Sequence, residues 1–218
     1  MRACIRRGSK QIGGSCIEVE HGGKRLLIDL GLPLDARENV AGLIPEGLTL
    51  DGSDPNLLGI LISHPHLDHY GLLAHVDGSI PIGLGAAARR LLAAAAPFLP
   101  GTWPVPAQGW DYESGRPIKI GPFTVTPFLV DHSAYDAYAL LIEGGGDRLF
   151  YSGDFRGHGR KAALFERLVA NPPADIDALL VEGSSLTRLE LDATFPTEGD
   201  VEARLLKELA QTDGLGVS

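Results

Sequence analysis

Hydrophobic positions in the first third of the chain come in short runs rich in Ile, Val and Cys. Those over residues 3–6, 15–20 and 24–28 predict three β-strands. His21-Gly22-Gly23, between the second and third runs, reads as a hairpin turn. Residues 57–63 (LLGILIS) form a continuous apolar run of strand length, as expected of a strand covered on both faces. A helical pattern follows over 68–76, and a second over 85–96 (GAAARRLLAAAA) is stopped by Pro97. Residues 99–117 hold both tryptophans and several prolines and read as irregular. Strands resume over 123–130, 138–142 and 148–151, with Gly144-Gly145-Gly146 turning between the last two. A helix over 161–170 ends before Pro172-Pro173, and a further strand covers 178–181. A last helix runs from Thr197 to about 211, opened by a Thr197-x-x-Asp200 capping pair. Hairpins at the front, and strands alternating with helices behind them, predict a layered α/β sandwich.

Composition narrows the class. At 218 residues, 44% hydrophobic and 22% charged, the chain is long and apolar enough for one large core or two small ones, which excludes general disorder. Lys and Arg total 19 against 28 Asp and Glu, a net charge of −9. That balance argues against a surface coated in nucleic-acid-binding charge but allows a local basic cleft. Two cysteines make no disulfide framework, and the N-terminus shows no apolar signal run. The expectation is a cytoplasmic protein with no membrane partner.

The informative chemistry lies directly after the apolar strand, in Ser63-His64-Pro65-His66-Leu67-Asp68-His69-Tyr70. Three of the chain's seven histidines and a carboxylate fall within six residues there. Residues i and i+2 of an extended segment point the same way, so His64 and His66 can meet one ion. Pro65 disfavours the helical conformation for His64 and keeps the stretch extended. The chain then turns into a helix with Asp68 and His69 on its first turn, and a helix N-terminus favours negative charge nearby. One histidine at a strand end is usually a satisfied polar residue; three with an aspartate at this spacing form a metal-ligand pattern. Imidazoles and carboxylates without thiolate suit Zn²⁺, with manganese or iron as alternatives. Asp29, His132 and Asp154 each stand just past a predicted strand, where functional residues collect on a rigid scaffold. Each alone is as readily a turn residue as a ligand; with the histidine cluster they become a set.

The order Asp29, His64-x-His66-x-Asp68-His69, His132, Asp154 resembles the metallo-β-lactamase fold, an αββα sandwich. The resemblance implies two metal ions, expected to be zinc. His64, His66 and His132 would hold the first, Asp68 and His69 the second, and Asp154 would bridge them. Asp29 corresponds to a carboxylate that orients the ligands. Asp68 and Asp29 are the candidate catalytic carboxylates, with Asp68 holding or deprotonating the attacking water. His132-Ser133-x-x-Asp136-Ala137, Phe150-Tyr151-Ser152-Gly153-Asp154-Phe155 and Val181-Glu182-Gly183-Ser184-Ser185 resemble RNase J and the β-CASP nucleases. The residues expected to meet substrate are Ser133, Arg156 and Glu182.

The resemblance implies hydrolysis by a metal-bound hydroxide, with a phosphodiester of RNA or DNA as substrate. A hydrolase of a small ester, lactone or phosphodiester is the second reading, and a non-catalytic metal-binding or partner-binding fragment the third. The family pattern stops early. Residues 1–181 are expected to form the metal-binding domain and 182–218 the start of a truncated β-CASP-like segment, leaving the fold incomplete. The family's final histidine ligand has no counterpart. Of His21, His75 and His158, only His158 is placed to substitute. A face left open by the missing half would favour a homo-oligomer. Arg156, Arg160 and Lys161 form a basic spot, either a solvated helix start or a phosphate contact. Arg2, Arg6, Arg7 and Lys10 form a second. Residues 8–16 (GSKQIGGSC) lack phosphate-loop spacing and read as a tight turn, which the resemblance places near the metal site. Without a G-x-S-x-G elbow, nucleophilic Ser or Cys catalysis is not expected.

Overall fold

The computed structural model describes residues 1–38, 40–98, 108–184 and 194–212. Strands β1 (Arg2–Arg7), β2 (Cys16–His21), β3 (Lys24–Ile28), β4 (Leu57–Leu61), β5 (Ile82–Gly85) and β6 (Gly109–Tyr112) form one sheet in sequence order. The β1–β2–β3 part is antiparallel and the β3–β4–β5–β6 part parallel. Strands β7 (Ile118–Ile120), β8 (Phe123–Val130), β9 (Ala137–Gly144), β10 (Asp147–Tyr151) and β11 (Ala178–Leu180) form the second, antiparallel except for the β10–β11 pair.

Side-chain alternation along the strands builds three apolar layers. Ile17, Val19, Leu26, Ile28 and Leu61 of the first sheet meet Phe123, Val125, Leu140, Ile142 and Leu149 of the second. The opposite face of the first sheet, with Leu27, Ile60, Ile62 and Ile82, is covered by Leu72, Leu73 and Val76 of the helical turns after β4. Ala88 of α2 (Ala86–Ala95) completes that cover. The outer face of the second sheet, with Val130, Ala139, Leu141 and Phe150, carries Leu168 of α3 (Ala162–Ala170) and Phe155 of the loop before it. These layers make the αββα sandwich. No helix among the described residues is long and apolar enough to cross a membrane.

Several boundaries move. The helix expected over 68–76 is a short α1 (Leu67–Tyr70) followed by a 3-10 turn (Gly71–His75). Strands β5 and β7 were not expected, and β6 lies within the stretch read as irregular, of which 99–107 fall outside the described residues. These strands have only three or four residues, and in β5 and β6 glycine dilutes the apolar character. A Cβ on Gly83 would lie 2.8 Å from the Leu61 side chain, and one on Gly85 2.2 Å from the Asp136 carboxylate. Close approach of neighbours therefore demands glycine in β5. Helix α4 (Glu198–Thr212) opens as expected: Asp200 N donates to Thr197 Oγ1 at 3.1 Å and Thr197 N to the Asp200 carboxylate at 2.9 Å. In the segment from 182 onward, residues 185–193, including Ser185, and 213–218 lie outside the described residues.

The Asp136 carboxylate caps α2, accepting from Ala87 N at 2.8 Å and Ala88 N at 2.9 Å, and takes the Tyr138 hydroxyl at 2.9 Å. The loop after β8 is thereby fastened to the first sheet's outer layer. Asp136→Ala is expected to cost about 2 kcal/mol, a lost cap plus a stranded buried hydroxyl. Urea denaturation checks this.

Candidate metal centre

Four strand ends meet at one edge of the sandwich. β3 and β4 run parallel, and β8 and β10 run the same way because each is antiparallel to β9. Their C-terminal ends deliver Asp29, the 63–69 segment, Asp131-His132 and Asp154.

Asp29 lies at the centre of the supporting shell. It is fully buried, with φ at 57°, a left-handed conformation that a non-glycine residue adopts at a cost. Its carboxylate accepts four hydrogen bonds: Ser63 N at 2.7 Å, Ser63 Oγ at 2.9 Å, His69 Nδ1 at 2.8 Å and Tyr151 Oη at 2.7 Å. A carboxylate only accepts, so these partners fix proton positions. The Ser63 hydroxyl gives its proton to Asp29 and must accept from His64 Nδ1, 3.0 Å away. The bare lone pair of His64 is then on Nε2, which is buried and has no hydrogen-bond partner. The His69 Nδ1 proton likewise goes to Asp29, leaving Nε2 facing Asp154 at 3.5 Å and Asp68 at 3.8 Å.

Two donor groups result among the described residues, each with ligand atoms within 4.8 Å of one another: His64, His66 and His132, and His64, His69 and Asp154. His132 Nε2 lies 3.2 Å from His66 Nδ1. An orphaned buried imidazole nitrogen with two further imidazoles in one group, and with an imidazole and a carboxylate in the other, is a donor set that fits a divalent cation. The first group is the set the sequence pointed to. In the second, His64 joins His69 and Asp154, while Asp68 stands alongside on the cavity wall.

Electrostatics keep the three histidines of the first donor group ready. Burial, followed by the neighbouring imidazoles, holds His64 well below the usual histidine range. Burial lowers His132 to about 4, with His66 and His69 adding to it against the pull of Asp154. Neutral imidazoles are what a metal needs. His69 goes the other way: burial opposes its charge, but Asp29 and Asp154 outweigh that and raise it to about 10. Burial also pushes the Cys16 thiol up to about 12, which removes it as a nucleophile.

The remaining predicted residues take defined places. Glu182 accepts the amide of Phe155 at 3.1 Å and so braces the Asp154 loop from β11. Ser133 is exposed beside His132. The Arg156 guanidinium pairs with Glu198 at 2.6 Å and Asp131 at 3.5 Å. His158 does not join either donor group; its ring stacks on Phe195. In the second basic spot Arg2 faces Glu20 and Arg6 pairs with Glu18. Residues that sequence reasoning missed are Ser63, which sets the His64 tautomer, and Asp131. Fully buried Asp131 accepts Gly159 N at 2.8 Å and Arg156, and ties the His132 loop to the Asp154 loop.

A cavity of about 660 Å³ opens beside the second donor group. Asp68, His69 and Asp154 line it with Arg7 at the end of β1, Lys10 of the 8–13 turn and Glu182 of the segment after β11.

A family model described as a beta-lactamase superfamily domain matches residues 24–210. Ribonuclease J of Helicobacter pylori is 26% identical over 211 residues, covering 89% of this chain and 29% of the relative. Ribonuclease J of Mycobacterium tuberculosis is 25% identical, covering 98% and 39% respectively. The chain therefore spans less than half the length of these relatives. Among solved structures, a protein of unknown function from Enterococcus faecalis V583 superposes with a TM-score of 0.77 at 22% identity, over 96% of this chain and 57% of that one. MEM-A1, a subclass B3 metallo-β-lactamase from a soil metagenome library, superposes with a TM-score of 0.54 at 19% identity, over 94% and 80%. A family match over most of its length, on a sandwich layered in this way, makes the chain a member of the beta-lactamase superfamily with the metallo-β-lactamase fold.

Proposed function

We propose that the chain is a metal-dependent hydrolase whose substrate is a phosphodiester of RNA or DNA. The observation that carries the reading is the buried, unpartnered His64 Nε2 within two overlapping donor groups. His64, His66 and His132 would hold one ion, and His69 with Asp154, beside Asp68, would hold the other. Zn²⁺ suits this set, with manganese or iron next. An ion bound there supplies Lewis acidity and acidifies water toward neutrality.

The chain's own residues do the rest. Asp29 keeps His69 and, through Ser63, His64 in the tautomers that expose Nε2. Asp68 faces the cavity and is placed to orient water and take its proton. Asp154 stays ionised below the usual carboxylate range because His69 beside it outweighs the cost of burial. Similarity to ribonuclease J supports a nucleic acid substrate; the net charge of −9 supports the second reading, a small ester or phosphodiester.

Metal content, measured on protein purified without chelator, tests the reading together with hydrolysis of RNA, DNA and a small phosphodiester. About two ions per chain are expected. His132→Ala is expected to lose one ion and lower turnover at least about a hundredfold, since a ligand is removed outright. Nucleic acid cleavage weakens steeply with salt, whereas turnover of a small substrate does so much less. Protein with no metal, and unable to take up Zn²⁺, would overturn the hydrolase reading.

A further inference from the structure

We propose that Arg7 is a positioning residue for the Asp68 side of the site. Its guanidinium makes no ion pair among the described residues. It donates to three backbone carbonyls from three separate loops: Gly14 at 2.7 Å, Leu43 at 2.6 Å and Gly31 at 2.6 Å. Carbonyl acceptors on a guanidinium give strong, directed bonds, and a planar fork holds three of them in fixed relation. A cation used this way, with burial already pushing its proton affinity down, acts as a clamp on the chain rather than a surface charge.

Two of the clamped loops are those on which Asp68 rests. Ser15 N donates to the Asp68 carbonyl at 3.1 Å, Gly31 N to Ser15 O at 3.0 Å, and Leu32 N to Leu67 O at 2.9 Å. Packing there leaves no slack. A Cβ on Gly31 would lie 1.7 Å from the Asp68 carbonyl oxygen, and one on Gly13 3.0 Å from Asp68 Cβ. Gly13 and Gly14 both have positive φ, at 76° and 66°. The Gly-Gly turn and the Gly31 loop thus form a bare-backbone cradle around Asp68, held together by one side chain that also ties them to the Leu43 turn. Without Arg7 the three carbonyls lose their common donor, and Asp68 loses the fixed floor that aims it at the cavity and at His69 Nε2.

As it concerns ions, the proposal rests on the two-ion reading above; as it concerns Asp68, it is tested without metal. Hydrogen exchange is compared on metal-free parent, Arg7→Gln and Arg7→Lys. In Arg7→Gln the amides of Ser15, Gly31 and Leu32 are expected to exchange about tenfold faster while those of β8 and β9 stay as in the parent. Arg7→Lys keeps the charge but cannot fork to three carbonyls, and shows the same local pattern at about threefold. If Arg7→Gln unfolds globally, Arg7→Lys alone decides, and parent-like protection at those three amides overturns the proposal.

Zn²⁺ titration against a chromophoric chelator supplies the second readout. The affinity of one of the two ions falls about tenfold in Arg7→Lys and that of the other is unchanged. Equal loss of both ions, or of neither, overturns the link to the Asp68 side. A parent that binds no Zn²⁺ sinks the two-ion reading and leaves the exchange result standing for Arg7. Unchanged exchange with a shallower salt dependence of RNA binding would make Arg7 a phosphate contact instead, and also overturns the proposal.

Discussion

Asp29→Ala is expected to cost about 4 kcal/mol of stability, a large share of what a domain of this kind has. The carboxylate takes four hydrogen bonds, and every donor is on a buried residue. Truncation strands the Ser63 amide and hydroxyl, the His69 ring N–H and the Tyr151 hydroxyl together, and each unsatisfied group costs about 1–3 kcal/mol less whatever water recovers. Alanine at a φ of 57° adds strain that the lost bonds had offset. Asp29→Asn separates the causes. Asparagine tolerates the left-handed conformation and fills the same volume, but its amide nitrogen turns a donor toward groups that also donate. It is expected to cost about 2 kcal/mol and to lower metal affinity about 10–100-fold through disordered His64 and His69 tautomers.

The pH dependence carries a further sign. His69 has its affinity for a proton raised to about 10 beside Asp29. In metal-free protein the pair therefore contributes fully below the unfolded value near 6.5 and loses its contribution as pH rises through about 10. The gap between parent and Asp29→Asn narrows across that window. Urea denaturation at several pH values with chelator present reads both effects. An Asp29→Ala protein within 1 kcal/mol of the parent would show that water replaces the carboxylate, and the positioning role would fall.

What the sequence made legible was local. His64, His66, Asp68 and His69 stand within six residues, so strand and helix periodicity alone brings them to one place. Asp29, His132 and Asp154 are visible as polar residues after apolar runs, and the structure puts all three at the same sandwich edge. Strands β5 and β6 were not legible, because Gly83, Gly85 and Gly109 sit where neighbours leave no room for a side chain, and that crowding is set by distant residues; β7 is a run of only three residues, too short for alternation to show. Ser63 was passed over because its importance lies in which proton it gives and takes. Arg7 read as one of several surface cations, since its three acceptors come from loops that only the fold brings together. Pairing of charges was equally invisible. Arg156 and Glu198 are 42 residues apart and meet at 2.6 Å.

Arg156→Ala is expected to destabilise the chain by about 3 kcal/mol and to leave the salt dependence of nucleic acid binding unchanged. The reason is Asp131, whose side chain is 0% exposed and which, among the described residues, hydrogen-bonds Gly159 N at 2.8 Å and the Arg156 guanidinium at 3.5 Å, with Lys161 as a more distant cation. Removing one partner of a buried pair leaves the other charge uncompensated, which costs far more than a surface pair contributes. The damage is directional. Asp131 precedes His132, Gly159 follows the Asp154 loop, and the Asp131 carbonyl accepts Arg156 N at 2.7 Å. Loosening this junction spreads His132 from Asp154, so the ion on the His64, His66 and His132 side should bind about tenfold more weakly. Arg156→Lys keeps the charge but cannot bridge Asp131 and Glu198 at once, and falls between parent and Arg156→Ala in stability. A phosphate contact behaves oppositely: its loss leaves stability intact and makes the salt slope shallower by about 0.7 for single strands or 0.9 for duplex. Urea denaturation and salt-dependent RNA binding on the same variants therefore assign Arg156 either to the scaffold that holds His132 against Asp154 or to the substrate.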